Sequence, residues 1–293
     1  MAIEKRDPHT GYTTTGHDWN GITELNRPVP RVIWFFLTAT VIFSIGYWVL
    51  MPAWPLVSTY TKGLLGVDQR EILSENLEAA AAARSVWTRQ IEARDYAEIR
   101  QDASLMGTVR RTGRTLFEDN CAACHGMAAQ GGPGYPRLTD AAWLWGGDPA
   151  AVAETLRVGI NSAHDETRFA QMPAFGLDQT LDRAALREVV DYVLSLSAGA
   201  PADPGRSASI AAGAGVFADN CAACHGENAA GSTDLGAPDL TDDFWIYGGD
   251  RQSVYGTVYG GRQGQMPQWE GRLSALERKI LTLYVLDLGA SKR

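Results

Sequence analysis

The six-residue string Cys-Ala-Ala-Cys-His-Gly occurs at 121–126 and again at 221–226, and these two copies hold all four cysteines of the chain. Each copy sits in a longer repeat. Phe117-Glu-Asp-Asn precedes the first and Phe217-Ala-Asp-Asn the second. Downstream, Pro136-Arg-Leu138-Thr-Asp matches Pro238-Asp-Leu240-Thr-Asp, Trp143 matches Trp245, and Gly-Gly-Asp at 146–148 matches 248–250. Met172-Pro173 then matches Met266-Pro267, and Tyr192-Val-Leu matches Tyr284-Val-Leu. From Asp148 to Met172 is 24 positions against 16 from Asp250 to Met266, so the first half carries an insertion, which includes His164. Two small domains follow, each reading helix, turn, loops and final helix. Leu186, Val189, Val190, Val193 and Leu194 form a helical apolar stripe, as do Leu276, Ile280, Leu283 and Leu286. Gly113 and Gly213 would let the first helix approach the last closely.

C-x-x-C-H is the attachment signature of c-type haem. Two thioethers fix the porphyrin edge, and the adjacent histidine stands under the iron. Cys121, Cys124 and His125 therefore hold one haem, and Cys221, Cys224 and His225 the other. A thioredoxin-like redox pair or a zinc site built from both pairs explains neither the histidine after each pair nor the repeated surroundings. With every cysteine so used, none is left for a structural disulfide. Domains of about 90 residues bury little surface alone, so a large apolar cofactor completes each core.

The sixth ligand decides whether such an iron transfers electrons or binds substrate. A methionine thioether fills the coordination sphere and raises the potential, and Met172 and Met266, each before proline and each ahead of the last helix, are the expected axial ligands. His164 is the rival at the first iron, and a His/His site would have a lower potential. Met127 is too close to His125 to reach the opposite haem face, and Met106 is expected to serve packing; His9 and His17 belong to the N-terminal tail. A ligating histidine donates its other N–H to an acceptor, and the Pro136 and Pro238 carbonyls suit. Trp143 and Trp245 either line the haem pockets or fill the core.

Val32 to Leu50 contains no charged residue, and nineteen residues at 1.5 Å each cross a hydrocarbon core of roughly 30 Å. Trp34 near its start and Tyr47, Trp48 and Trp54 near its end suit the interfaces. A cleaved signal peptide fits poorly, because the apolar run begins late and no small-residue cleavage site follows. Lys5, Arg6, Arg27 and Arg31 precede it, against Lys62 and Arg70 after, so the N-terminus is expected in the cytoplasm. Haem c attachment outside the bacterial cytoplasmic membrane requires the same topology. The fold class is thus mainly α: a cytoplasmic segment 1–31, a transmembrane helix 32–54, a helical spacer 55–107, and two tandem class I cytochrome c-like domains at 108–198 and 208–293 joined by a linker 199–207. Four acids and four bases up to residue 55 cancel, so the whole net charge of −8 lies beyond. An acidic remainder argues against nucleic acid and suits docking of a cationic protein.

These residues resemble the CcoP (FixP) subunit of cbb3-type cytochrome c oxidase over essentially the whole chain. The specific stretches are Asp18-Trp-Asn-Gly-Ile-Thr-Glu-Leu-Asn-Arg-Pro-Val-Pro-Arg31, Tyr60-Thr-Lys-Gly-Leu-Leu-Gly-Val67, and Gly159-Ile-Asn-Ser-Ala-His-Asp-Glu-Thr-Arg-Phe-Ala-Gln-Met-Pro-Ala-Phe-Gly176. The resemblance implies two covalent haem c groups with His125, Met172, His225 and Met266 as iron ligands. It also implies an inner-membrane oxidase that pumps protons and reduces oxygen at a haem–copper centre on another subunit. The chain is then a non-catalytic relay from donor cytochrome c, through a monohaem subunit, to the catalytic one, in aerobic or microaerobic respiration. Homology within the repeat favours each methionine serving the histidine of its own half. A membrane-anchored dihaem shuttle, a cytochrome subunit of another respiratory complex, and a dihaem peroxidase with an open iron position are the competing functions.

Overall fold

The computed structural model describes residues 5–197 and 204–290, and the expected linker lies mostly outside them. Two compact units divide at residues 83 and 84.

In the first unit, β1 (Thr14–Trp19) and β2 (Ile22–Leu25) form an antiparallel hairpin. Asn20 and Gly21 turn it with φ of 55° and 89°, the left-handed geometry that two-residue hairpin loops require. Helix α1 (Arg31–Leu50) buries none of its residues in protein, as expected of a helix whose solvent is lipid. It is one turn shorter than the expected 32–54 span. Met51 turns extended, at φ −113° and ψ 162°, because Pro52 disfavours the helical conformation in the residue before it.

The stretch expected as a helical spacer, 55–107, is helical from Gln69 and interrupted twice. Helix α2 (Gln69–Ala93) gives way to α3 (Tyr96–Gln101) and then to α4 (Ala103–Asn120). Asp95 and Glu98 form a reciprocal capping box, and Asp102 accepts from the backbone N–H of Ser104 and Leu105, so each aspartate restarts the helix by satisfying its orphan donors. The end of the spacer is docked. Ile91, Ile99, Leu105, Met106 and Val109 bury against Ile280 and Leu283. Met106 is therefore a packing residue.

The rest comprises the one-turn helices α5 (Ala122–His125) and α9 (Ala222–His225), together with α6 (Pro149–Val158), α7 (Arg183–Leu196), α8 (Ser207–Asn220), α10 (Arg251–Gly260) and α11 (Ala275–Ala290). Two cores organise them, and each draws on both halves of the repeat. Phe117, Ala122, Ala129 and Leu156 bury with Trp269, Leu273, Leu281 and Val285. Phe217, Ala229, Val254 and Val258 bury with Leu186, Val189, Val190 and Val193. The sequence-order halves have exchanged their final helices, so α11 closes the core of α4 to α6 and α7 closes the core of α8 to α10. Aromatic pairs mark the exchange: Phe117 meets Tyr284 at 5.8 Å between centroids, and Tyr192 meets Phe217 at 5.3 Å. The close approach expected at Gly113 and Gly213 is present but with exchanged partners. A Cβ on Gly113 would lie 2.6 Å from Tyr284 Cβ, and one on Gly213 would lie 2.0 Å from the Glu188 carbonyl oxygen.

Candidate haem sites

Each Cys-Ala-Ala-Cys-His string folds as one helical turn continuing a longer helix, with the first cysteine as the C-cap of α4 or α8. Gly126 and Gly226 then reverse the chain at φ 78° and 80°, a conformation that costs glycine little. The reversal brings the following loop back beneath the imidazole. His125 Nδ1–H donates to the Pro136 carbonyl and His225 Nδ1–H to the Pro238 carbonyl, both at 3.0 Å. Each ring is thereby oriented, and the unshared nitrogen remains for a metal. Burial lowers both imidazole pKa values against the opposing effect of those hydrogen bonds, which favours the neutral, ligating form. The four cysteines are unpaired. Burial, with a smaller contribution from the neighbouring cysteine, pushes the Cys121 and Cys221 thiols up to about 11.

The Gly-Gly-Asp repeat is explained element by element. The first glycine has φ of 90° at Gly146 and 95° at Gly248. A Cβ on the second would strike the tryptophan ring, 2.4 Å from Trp143 Cδ1 at Gly147 and 2.5 Å from Trp245 Cδ1 at Gly249. The aspartate caps the next helix: Asp148 accepts from Ala150 and Ala151, and Asp250 from Gln252 and Ser253. Trp245 both packs in its core and lines the cavity, whereas Trp143 serves its core alone.

One continuous cavity is lined by both cysteine–histidine turns, by Met172 and by Met266. Met266 packs with the core of Phe117 and Cys121, and Met172 with that of Phe217 and Cys221. The backbone reinforces this arrangement. Ile160, just past α6, exchanges two hydrogen bonds of 2.9 Å with Met266; Met172 exchanges bonds of 2.8 and 3.1 Å with Arg262, just past α10. Gly159 and Gly261 permit the approach, since a Cβ there would lie 2.4 Å from the Met266 carbonyl oxygen and 2.5 Å from that of Met172. The local pairing favoured by the repeat is therefore not the packing of this chain: each methionine travels with its exchanged final helix.

His164 is engaged elsewhere. Its Nδ1 accepts from the Glu166 N–H at 2.9 Å and its Nε2 lies 2.8 Å from Glu270, in an ionic cluster that includes Arg157. It does not line the cavity, and neither does Met127, which is exposed. Among the described residues no group of three or more His, Cys, Asp or Glu converges as a metal site. The cavity does suit a haem at each turn: paired free thiols, an oriented neutral imidazole, an adjacent thioether and largely apolar walls. Trp145 and Tyr247, which the repeat also matches and sequence reasoning passed over, line this cavity too.

Three family profiles match parts of the chain. The N-terminal domain of cytochrome oxidase-cbb3, FixP, matches 11–58; cytochrome c matches 111–197; and cytochrome c oxidase, cbb3-type, subunit III, matches 208–285. A Bradyrhizobium protein, "Cbb3-type cytochrome c oxidase subunit FixP", is 45% identical over 98% of both chains. The chain belongs to the FixP/CcoP family. Two further relatives, both named "Cbb3-type cytochrome c oxidase subunit CcoP", agree: that of Cereibacter sphaeroides is 44% identical over 95% of each chain, and that of an Azospirillum species 43% identical over 100% of each. As a FixP/CcoP protein it is a haem-bearing electron-transfer subunit of a cbb3-type oxidase and works with other subunits of that complex. Helix α1 is its candidate membrane anchor.

Proposed function

We propose that this subunit carries two haem c groups, one coordinated by His125 and Met266 and the other by His225 and Met172, and that it relays electrons without catalysing oxygen reduction. Bound haem supplies a one-electron Fe(III)/Fe(II) couple whose potential a His/Met axial pair raises. Cys121, Cys124, Cys221 and Cys224 hold the porphyrins as thioethers. The Pro136 and Pro238 carbonyls would fix the imidazoles, and the methionine thioethers would complete the ligand sets, leaving no exchangeable position for a substrate. Electrons pass from a donor cytochrome c through these centres to a monohaem subunit and on to the catalytic haem–copper subunit. The N-terminus is cytoplasmic and the haem domains periplasmic.

The observation that carries this reading is the shared cavity, in which each histidine turn lies in the core that holds the other half's methionine. Paired substitutions test it. By near-infrared and EPR spectroscopy, Met172→Leu with His225→Ala should leave one intact low-spin His/Met centre, and Met172→Leu with His125→Ala should leave none. The reverse result would restore local pairing. Ready binding of carbon monoxide to the reduced wild-type chain would overturn the non-catalytic assignment.

A further inference from the structure

The insertion of the first half begins directly after Asn161. Counting from Gly159 and Gly261, Ile160 matches Arg262 and Asn161 matches Gln263; counting back from the methionines, Ala170 matches Gly264. The extra residues are therefore 162–169, and Asn161 stands where the chain leaves the repeat. Its φ is 47°, a left-handed conformation that asparagine tolerates better than most side chains. Ile160 beside it lies between two segments: it pairs in parallel with Arg168, on the approach to Met172, and antiparallel with Met266. The Asn161 side chain reaches both. Its Nδ2 donates to the Ala170 carbonyl at 2.8 Å and to the Gly264 carbonyl at 2.7 Å. Each acceptor stands two residues before a methionine, Met172 in one case and Met266 in the other. Oδ1 accepts from the Ala170 N–H at 3.2 Å. The main chain adds two bonds: the Asn161 N–H donates to the Arg168 carbonyl at 2.7 Å, and the Asn161 carbonyl accepts from Gln265 Nε2 at 3.2 Å.

A primary amide carries two N–H donors, and here one goes to each methionine loop. The partners dictate which way the amide faces, since the reverse orientation would set its oxygen against two carbonyls. An aspartate of the same size would offer neither donor. Each methionine is also held at its own backbone, Met172 by Arg262 and Met266 by Ile160; Asn161 joins the two loops to each other, at equivalent points of the repeat. We propose that Asn161 is a positioning residue for both iron centres, fixing the Met172 and Met266 loops as one unit so that each thioether is held partly through the other's loop. The inference rests on the methionine ligation proposed above. Displacing either loop stretches a hydrogen bond whose donor amide anchors the other loop as well, so the two sixth ligands are released or retained together.

The test uses the membrane-extracted full chain as wild type, Asn161→Gly, Asn161→Asp and Ser162→Ala, with Met172→Leu and Met266→Leu identifying the methionine–iron charge-transfer band of each haem. Asn161→Gly keeps the left-handed backbone and deletes the amide. It should weaken or shift both bands. Carbon monoxide enters such an iron only when the methionine leaves, so its binding rate at each reduced haem should rise about fivefold, the weight of one hydrogen bond per loop. Asn161→Asp keeps the size and the acceptor but loses both donors, so it should act on both haems in the same direction; it carries the test if Asn161→Gly does not mature. Ser162→Ala removes hydrogen bonds to the Val158 carbonyl and from the His164 N–H. Neither reaches a methionine loop, so both bands and both rates should match wild type. Unchanged bands in the Asn161 variants, or a change confined to one haem, overturn the proposal, as does an equal response to Ser162→Ala. If neither Met172→Leu nor Met266→Leu removes a band, the methionine ligation itself is wrong and the proposal falls with it.

Discussion

Substituting Gly213 by alanine probes the helix exchange directly. The new Cβ would sit 2.0 Å from the Glu188 carbonyl oxygen and 2.5 Å from its carbon. Both are backbone atoms, which cannot rotate away. Ordinary contact begins at 3.4 Å, so α7 and α8 must separate locally by roughly 1.4 Å, in a core where Phe217 and Val189 are essentially fully buried. Overpacking of this kind costs about 1–3 kcal/mol, and a contact this short belongs in the upper part of that range. Alanine returns about 1 kcal/mol of helix propensity, so the net loss is about 1–2 kcal/mol. For a unit of this size that lowers Tm by roughly 2–8 °C, at about 2–4 °C per kcal/mol. Thermal melts should be followed through the methionine–iron charge-transfer band of each haem. The band that Met172→Leu abolishes should be lost first, because Met172 packs in the core that α7 and α8 close. A variant as stable as wild type, or one that first loses the band assigned to Met266, would refute the reasoning.

Asp191 is a buried carboxylate on α7 that accepts from Ser209 Oγ at 2.7 Å and pairs with Arg206 and Arg251; Asp191→Asn should destabilise the protein by about 1.5–3 kcal/mol, measured by denaturant titration with both haem spectra initially intact. His164→Ala should leave the EPR signals of both haems unchanged, since its ring nitrogens are committed to Glu166 and Glu270; altered low-spin signals would show that it reaches an iron. The hydrogen bond from His164, and then Arg157, hold the Glu270 carboxyl below the usual range. A depressed folded-state pKa stabilises above the unfolded value, so the stability gap between wild type and Glu270→Gln should be full above ordinary glutamate pKa values, near 4.3, and close as pH falls through the depressed one. Replacing residues 1–50 by a cleavable export signal should yield a chain that partitions into the aqueous phase with both haem spectra retained; failure to leave the membrane would mean that α1 is not the anchor.

The chemistry was legible because attachment demands consecutive residues. Cys-x-x-Cys-His is a local instruction, as are the charge-free stretch that became α1 and the Gly-Gly-Asp repeat. The carbonyls of Pro136 and Pro238 were found because a ligand histidine needs an acceptor, which a returning loop supplies. The exchange of final helices was hidden for a physical reason. The α7 and α11 stripes have the same spacing and each presents a tyrosine to a phenylalanine, so exchanged and unexchanged forms bury equivalent surfaces; connectivity, not pattern, selects between them. The hairpin at Asn20-Gly21 carries a recognisable turn signal, flanked by Trp19 and Ile22.

The exchange also sets a timetable for biogenesis. A chain made from its N-terminus presents Cys121 and Cys124 first, yet Met266 and α11, which pack in that compartment, leave the ribosome only after the Cys221–His225 turn of the other one. The earlier thiols must wait, reduced and uncovered, while the later compartment already has Met172 and α7 at hand when Cys221 arrives. The first cofactor station to be begun is thus the last to be sealed, and a product truncated before or within α11 leaves that station open rather than the one encoded beside the cut.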